Sequence, residues 1–335
     1  MRALFSIMVY FIQLRDVEEE SLAEREAFEF WKKPETEELY MIGGFRQWAD
    51  AGSVSSELPQ YLVTQTKAEP IGRLHPDGFY LFQVPGMHDL MRPVVKYEEG
   101  LPVSLETQRN DFYYTGDSHR GVVIFLGDEP HMDVERYVGA LLGAARRLGV
   151  KRIIGLGGVY GELPYDKERL ISCSYSLERM KDELARLAVT FSDYHGGGSI
   201  DSVIAKRAGE QGMEFLGMYA MVPAYDFSLV TQSPNSVRIE NDYSAWLGVM
   251  KRINYMLKTT FDLADLERKS RHLVDLVREK IEELESAAPQ LGVTEYMQKL
   301  SEEFTELIFN PLDEVWDEEL RRLLNRLDDG EETQE

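Results

Sequence analysis

A single cysteine, Cys173, stands in 335 residues. One cysteine cannot close an internal disulfide or build a thiolate metal site, which fits a reducing compartment and makes the cytoplasm the expected location. Cys173 lies in the strand-like run 170–175, so a small core residue is expected there rather than a nucleophile. Histidine is also scarce. His75, His88, His119, His131, His195 and His272 include no pair at the spacing that places two ligands on one helix face, so no metal is expected. The chain lacks a Gly-x-Ser-x-Gly elbow and a phosphate-loop lysine motif, which removes two large enzyme classes. No cofactor is expected. Long apolar runs are missing too. The stretch from Ala3 to Leu14 falls short of the roughly 20 residues that span a bilayer. It carries no small-residue cleavage site and runs into the acidic segment 16–20, so a docking strand or an over-extended reading frame is expected, not a membrane anchor or a secretory signal.

Basic residues are outnumbered, 37 against 59, for a net charge of −22. The excess sits at the ends: residues 262–335 hold 9 basic and 22 acidic side chains, and residues 16–38 hold 3 and 10. Such surfaces repel phosphate backbones and anionic lipid, so neither nucleic acid nor membrane is an expected partner.

The informative stretch is Gly43-Gly44-Phe45-Arg46-Gln47-Trp48-Ala49-Asp50-Ala51-Gly52. It follows the apolar run 39–42 and precedes Val54, Leu58, Tyr61 and Leu62 at helical spacing. Glycines between a strand and a helix mark the junction where α/β proteins usually meet ligands. Strands are expected at 40–43, 70–74, 79–83, 94–97, 122–126, 152–156, 171–175 and 215–222. Helices are expected at 54–67, 134–148, 177–188, 200–211 and 244–257. This alternation predicts an α/β fold with a mixed, mostly parallel sheet flanked by helices. The charged segment 15–38 reads as a helix or tether. Beyond residue 260, apolar stripes at Leu263–Leu284, Met297–Leu307 and Leu312–Leu327 predict a C-terminal helical appendage with acidic outer faces. The division expected is a segment 1–38, a core 39–260, an appendage 261–330 and a polar tail 331–335.

The run from Gly155 to Gly161 approaches a dinucleotide fingerprint. Its last glycine is one position late, and Glu162-Leu163-Pro164 does not open a helix, so it is rejected. His195-Gly196-Gly197-Gly198-Ser199 precedes a helix and reads either as an anion cradle or as a turn. Asp50, Asp128, Glu129 and Glu162 fall at strand ends, where paired carboxylates could do acid–base work. Asp50 could equally cap the helix that follows, and Glu129, before Pro130, could serve a turn.

Several pieces in order resemble the proteasome-assembly-chaperone-2-like family: Gly44-Phe45-x-x-Trp48-Ala49-Asp50-Ala51-Gly52, Asp77-x-Phe79, Arg92-Pro93 and Gly127-Asp128-Glu129-Pro130, followed by Leu148-Gly149-Val150, the 156–164 loop, Tyr194-His195-Gly196 and Val222-Pro223-x-Tyr225. The resemblance covers residues 38–260. It implies a fold like the nucleoside phosphorylase/hydrolase group, a C-terminal helical extension and a homo-oligomer. Some relatives act as proteasome assembly factors through a hydrophobic–tyrosine–any-residue tail, whereas this chain ends Thr333-Gln334-Glu335, so tail docking on a proteasome is not expected. Many relatives carry Pro-His-Thr-Arg where this chain reads Pro164-Tyr165-Asp166-Lys167. The leading expectation is a homo-oligomeric assembly or scaffold factor that meets a protein partner through its C-terminal helices. The competing expectation is a small-molecule binder or enzyme of the nucleoside phosphorylase/hydrolase type, with a pocket at the Gly-rich strand–helix junctions. Its pocket would be lined by Gly43, Gly44, Trp48, Asp50, Gly52, Arg92, Glu129 and Gly196, with Arg92 on an anion, Trp48 on a ring and Asp50 or Glu129 as acid–base.

Overall fold

The structure is a computed structural model and describes residues 27–46, 48–83, 92–226 and 236–310. Four short runs organise it: Met41-Ile42, Val123-Ile124, Ile153-Ile154 and Phe215-Leu216, all buried. Successive strand side chains point to opposite faces. Each run therefore feeds two cores at once, which suits a sheet covered on both sides.

The strands in chain order are β1 (Phe28–Phe30), β2 (Glu38–Arg46), β3 (Glu69–Leu74), β4 (Val94–Glu98), β5 (Leu101–Glu106), β6 (Asn110–Gly116), β7 (Arg120–Asp128), β8 (Arg152–Gly161), β9 (Ile171–Tyr175), β10 (Thr190–Phe191), β11 (Glu214–Asp226) and β12 (Ser236–Arg238). The helices are α1 (Glu57–Thr66), α2 (Val134–Leu148), α3 (Lys181–Leu184), α4 (Ile200–Glu210), α5 (Tyr243–Leu257), α6 (Ala264–Ala287) and α7 (Val293–Glu303). The main sheet runs β1-β3-β6-β7-β2-β8-β11-β9-β10, with β12 on the end of β11; β4 and β5 form a separate ribbon. The central strands β7-β2-β8-β11 are parallel. The β3–β6, β6–β7 and β9–β11 pairs on the flanks are antiparallel. This is the mixed, helix-flanked α/β sheet that the alternation of elements predicts.

Helices α2 and α4 cover one face, where Tyr137, Leu141, Leu142 and Ile204 meet Met41, Val123, Phe125 and Phe215. Helices α1, α5, α6 and α7 cover the other, where Leu58, Trp246, Val249, Leu266, Val277 and Val293 meet Ile42, Ile124, Ile154 and Leu216. Helix α2 spans the predicted residues. It stops because Gly149 takes a left-handed φ of 82° and Val150 N–H donates to Ala145 O.

Two buried arginines tie the second face together. Arg169 and Asp242 are both fully buried and bonded at 2.8 Å. The Arg169 guanidinium also donates to the carbonyls of Tyr165 and Lys167, while Asp242 Oδ1 accepts from Ser244 N and Ala245 N at the start of α5. Arg252 donates to the carbonyls of Leu187 and Ala188 and to Glu168, and it lies over the Phe309 ring.

Several local expectations change. The helix expected at 177–188 is broken into 3-10 turns around the single turn α3. Arg252 draws the Leu187 and Ala188 carbonyls away from a helical ladder, and Ala188 takes φ 48°. The strand expected at 79–83 is a turn, because Phe79 O accepts from His131 N and Met132 N while Leu81 N donates to His131 Nδ1. Within the charged segment 15–38, Phe28–Phe30 is a strand paired with β3, not a helix or tether. Helix α7 ends at Glu303, so Phe304 and Leu307 of the second stripe lie beyond it. Glu306 accepts from Glu168 N and Phe309 packs on Tyr255, which turns this segment back onto the core. The 3–14 run, the 312–327 stripe and the polar tail lie outside the described residues. No helix among the described residues is long and apolar enough to cross a membrane.

Removing one partner of a buried ion pair strands the other charge and costs about 3–5 kcal/mol. Arg169→Met is expected to lower unfolding stability by about that amount in urea titrations. Arg207→Met, which breaks an exposed pair with Glu135, is expected to leave the midpoint nearly unchanged. Equal effects would refute the weight given to Arg169.

Candidate functional site

The Gly-rich stretch leaves β2 at Arg46, whose guanidinium pairs with Asp128 at the end of β7. The chain then turns sharply, with Ala49, Gly52 and Ser53 all at positive φ. Ala49 O accepts from Gly158 N at 2.6 Å, which lays the turn against β8. Asp50 Oδ1 accepts from Ser55 N and Ser56 N, each at 2.9 Å, so its carboxylate holds the entry to α1. Burial raises the Asp50 pKa against the pull of those bonds. Gly52 has no room for a side chain: a Cβ would stand 2.8 Å from Asp242 Cβ and 2.9 Å from Val222 Cγ2. Its carbonyl accepts from Asp242 N and from Trp246 Nε1.

Beside this turn lies a cavity of about 910 Å³. Tyr219 on β11 forms part of its lining, with Ser172 and Ser174 from β9 and Ser199 and Ser202 from the start of α4. Trp48, Tyr160 and Tyr194 line it at exposures of 57, 47 and 73% and form its open rim. The Tyr219 ring has its place because its neighbours are glycines. A Cβ at Gly157 would come within 2.4 Å of the ring, and one at Gly217 within 2.9 Å. The Tyr219 hydroxyl is 3.4 Å from Ser199 Oγ and also bonds the Ser202 and Ser174 side chains. The remaining glycines of the 155–161 run serve packing as well. Gly155 makes room for the Asp201 carboxyl and Gly158 for the Ala51 carbonyl. That accounts for a near-fingerprint with no helix behind it.

The N-terminus of α4, where three glycines suggested an anion cradle, already holds a carboxylate. Glu129 Oε1 accepts from Ile200 N at 2.7 Å. Burial raises the Glu129 pKa. Asp201, fully buried, has an Oδ1 atom with no hydrogen-bond partner among the described residues. Burial first, and the Glu129 charge second, push its pKa up to about 8. Cys173 is buried and its thiol is pushed up to about 12, the state of an inert core thiol.

Of the eight residues expected in a pocket, Trp48 and Asp50 line the cavity. Gly43 and Gly44 lie in β2 behind it, and Gly44 lets the Ser55 carbonyl approach. Gly52 faces α5, and Glu129 caps α4. Gly196 stands beside the lining residues Gly197 and Gly198. Arg92 is not brought to them: it is exposed, donates to Gln83 and lies 5.1 Å over the Phe82 ring. Among the described residues, the lining holds one carboxylate, no histidine and no basic side chain. No group of three or more His, Cys, Asp or Glu among the described residues could hold a metal ion. Sequence reading missed Tyr219 and the serines. The period-2 placement of Ser172 and Ser174, and of Tyr219 and Met221, puts each pair on one strand face, but only the register Tyr219↔Ser172 and Tyr219↔Gly157 brings them together.

A model of the PAC2 family matches residues 44–283. Among solved structures, a proteasome-assembly chaperone homologue from Mycobacterium tuberculosis matches with a TM-score of 0.61 at 20% identity, over 72% of this chain and 94% of that one. A protein of unknown function from Corynebacterium glutamicum matches at 0.63 and 18%, over 88% and 99%. PbaB of Pyrococcus furiosus, an archaeal proteasome activator, matches at 0.54 and 18%, over 75% and 97%. At these identities the likeness is one of fold. No curated protein matches the chain.

Asp201 makes stability depend on pH. Unfolded, its carboxyl ionises near 3.8; folded, it keeps its proton to about 8. Between those values the folded state binds more protons, so this group's contribution to stability falls as pH rises and is level above about 8. Asp201→Asn cannot ionise and is expected to gain on the wild type steadily across that window in urea midpoints. A difference that does not vary with pH would contradict this.

Proposed function

The chain belongs to the PAC2 family, and from that premise we propose that it is a homo-oligomeric assembly or scaffold factor that works through contact surfaces. The observation that carries this is the β4–β5 ribbon. Every residue of both strands is exposed, yet Val94, Tyr97, Leu101 and Leu105 are each at least 60% exposed, with Val95 and Val103 beside them. Val95 and Leu105 are cross-strand partners, and Tyr97 lies two residues along from Val95 on the same face. A lone two-stranded hairpin is marginal in water, and contiguous exposed apolar patches mark interaction sites. A second copy would cover this ribbon and extend it with another sheet edge.

Assembly of other proteins is the role carried over from relatives, two of which are an archaeal proteasome activator and a proteasome-assembly chaperone homologue. The C-terminal helices are the second surface. Leu266, Val277, Ile281 and Val293 are spent on the core, so α6 and α7 would meet a partner with their charged outer faces; the two helices carry ten acidic and six basic side chains. A basic protein surface suits them. Cytoplasmic location belongs to the same reading.

The test is the mass of the full chain by light scattering. The wild type is expected to be oligomeric. The double variant Val95→Lys with Leu105→Glu puts opposite charges across the ribbon, which preserves the hairpin and removes its apolar face. It is expected to run as a monomer that keeps the wild-type far-ultraviolet circular dichroism, with a midpoint lowered only by the lost association. A monomeric wild type, or a variant that keeps the oligomeric mass, would overturn the proposal.

A further inference from the structure

The cavity beside Asp50 has no part in that assembly reading, and its chemistry narrows what it can hold. Its volume of about 910 Å³ lies in the range of about 300–1,000 Å³ usual for small-molecule sites. Among the described residues, the only charged side chain in its lining is the carboxylate of Asp50. Anionic ligands are disfavoured twice: no guanidinium or ammonium of the described residues lines the cavity, and the N-terminus of α4 is already taken by Glu129. Its inner polar groups are hydroxyls, chiefly Ser172, Ser174, Ser199, Ser202 and Tyr219. Hydroxyls both donate and accept, so they complement ligand groups that do the same. The rim offers Trp48 and Tyr194, aromatic faces turned more to solvent than to protein. Such faces at a mouth usually gain by stacking on a flat or weakly polar ring surface. The Tyr219 floor is built rather than incidental, since Gly157 and Gly217 clear its ring and three serines hold its hydroxyl.

We propose that this cavity binds an uncharged glycoside, with the sugar hydroxyls on the serine and Tyr219 hydroxyls and a ring face against Trp48. Two sources share that chemistry: a saccharide, and a nucleoside without phosphate.

The experiment is titration calorimetry of the full-length protein with cellobiose, methyl glucoside and adenosine, and with glucose 6-phosphate and adenosine 5′-monophosphate as charged counterparts. At least one neutral probe is expected to bind saturably, with its phosphorylated counterpart about tenfold weaker or more, a change of about 1.4 kcal/mol. Which neutral probe binds tells the two sources apart. Trp48→Ala is expected to weaken that probe about tenfold with the thermal midpoint unchanged, because the side chain is mostly exposed. Ser199→Ala supplies a second variant, expected to weaken binding by a smaller factor. The proposal is overturned if no neutral probe binds saturably, if a phosphorylated probe binds as tightly as its neutral counterpart, or if both variants bind like the wild type.

Discussion

Arg169 and Asp242 are buried out of reach of water, and neither could remain charged there alone. Their pairing fixes three parts of the protein at once. Arg169 gathers the carbonyls of the loop after β8. Asp242 starts α5 with its side chain, and its backbone N–H reaches the Gly52 carbonyl. Trp246, one turn along α5, donates to the same carbonyl. The turn that carries Trp48 and Asp50 is thus clamped to the helical layer through Asp242, the acid of this pair. Gly52 has to be glycine for this, because Asp242 and Val222 fill the space a side chain would need.

The same economy governs the other acids near the strand ends. Asp128 takes the Arg46 guanidinium and the Arg109 amide. Asp50 takes two amides before α1, and Glu129 takes the first amide of α4. Three of the four carboxylates that strand-end position alone would recommend for acid–base work, Asp50, Asp128 and Glu129, are occupied by the fold. What remains in the cavity is a hydroxyl-lined space with an aromatic mouth. What remains outside is the exposed apolar ribbon and the charged faces of α6 and α7.

The central sheet was legible because its strands are buried on both faces and so read as short apolar runs, as at residues 122–126 and 153–156. Helix α2 was legible to the residue, since its periodicity ends at a glycine that supplies the left-handed cap. Strand β6 was not, although Phe112, Tyr113, Tyr114 and Thr115 all favour strands, because it opens on Asn110-Asp111 and closes on Gly116, which leaves only three consecutive aromatic residues as its apolar signal. The broken helix at 177–188 has good helical spacing, and it yields to Arg252, a residue more than sixty positions away. For the site, the turn at 43–52 was visible as a strand–helix junction. The pairing of Tyr219 with Gly157 and Ser172 depends on register between distant strands, and a buried Arg169–Asp242 pair looks in sequence like any two surface charges.

The central claim is that one ion pair couples the helical layer to the wall of the cavity, and native-state hydrogen exchange tests it most directly. In Arg169→Met, the amides of Ser55, Ser56, Gly158, Asp242 and Ala245 are expected to lose protection together, as one cooperative unit, by more than the amides of α2 on the opposite face. Loss confined to residues 164–169, with the Ser55, Ser56 and Gly158 amides protected as in the wild type, would contradict the account.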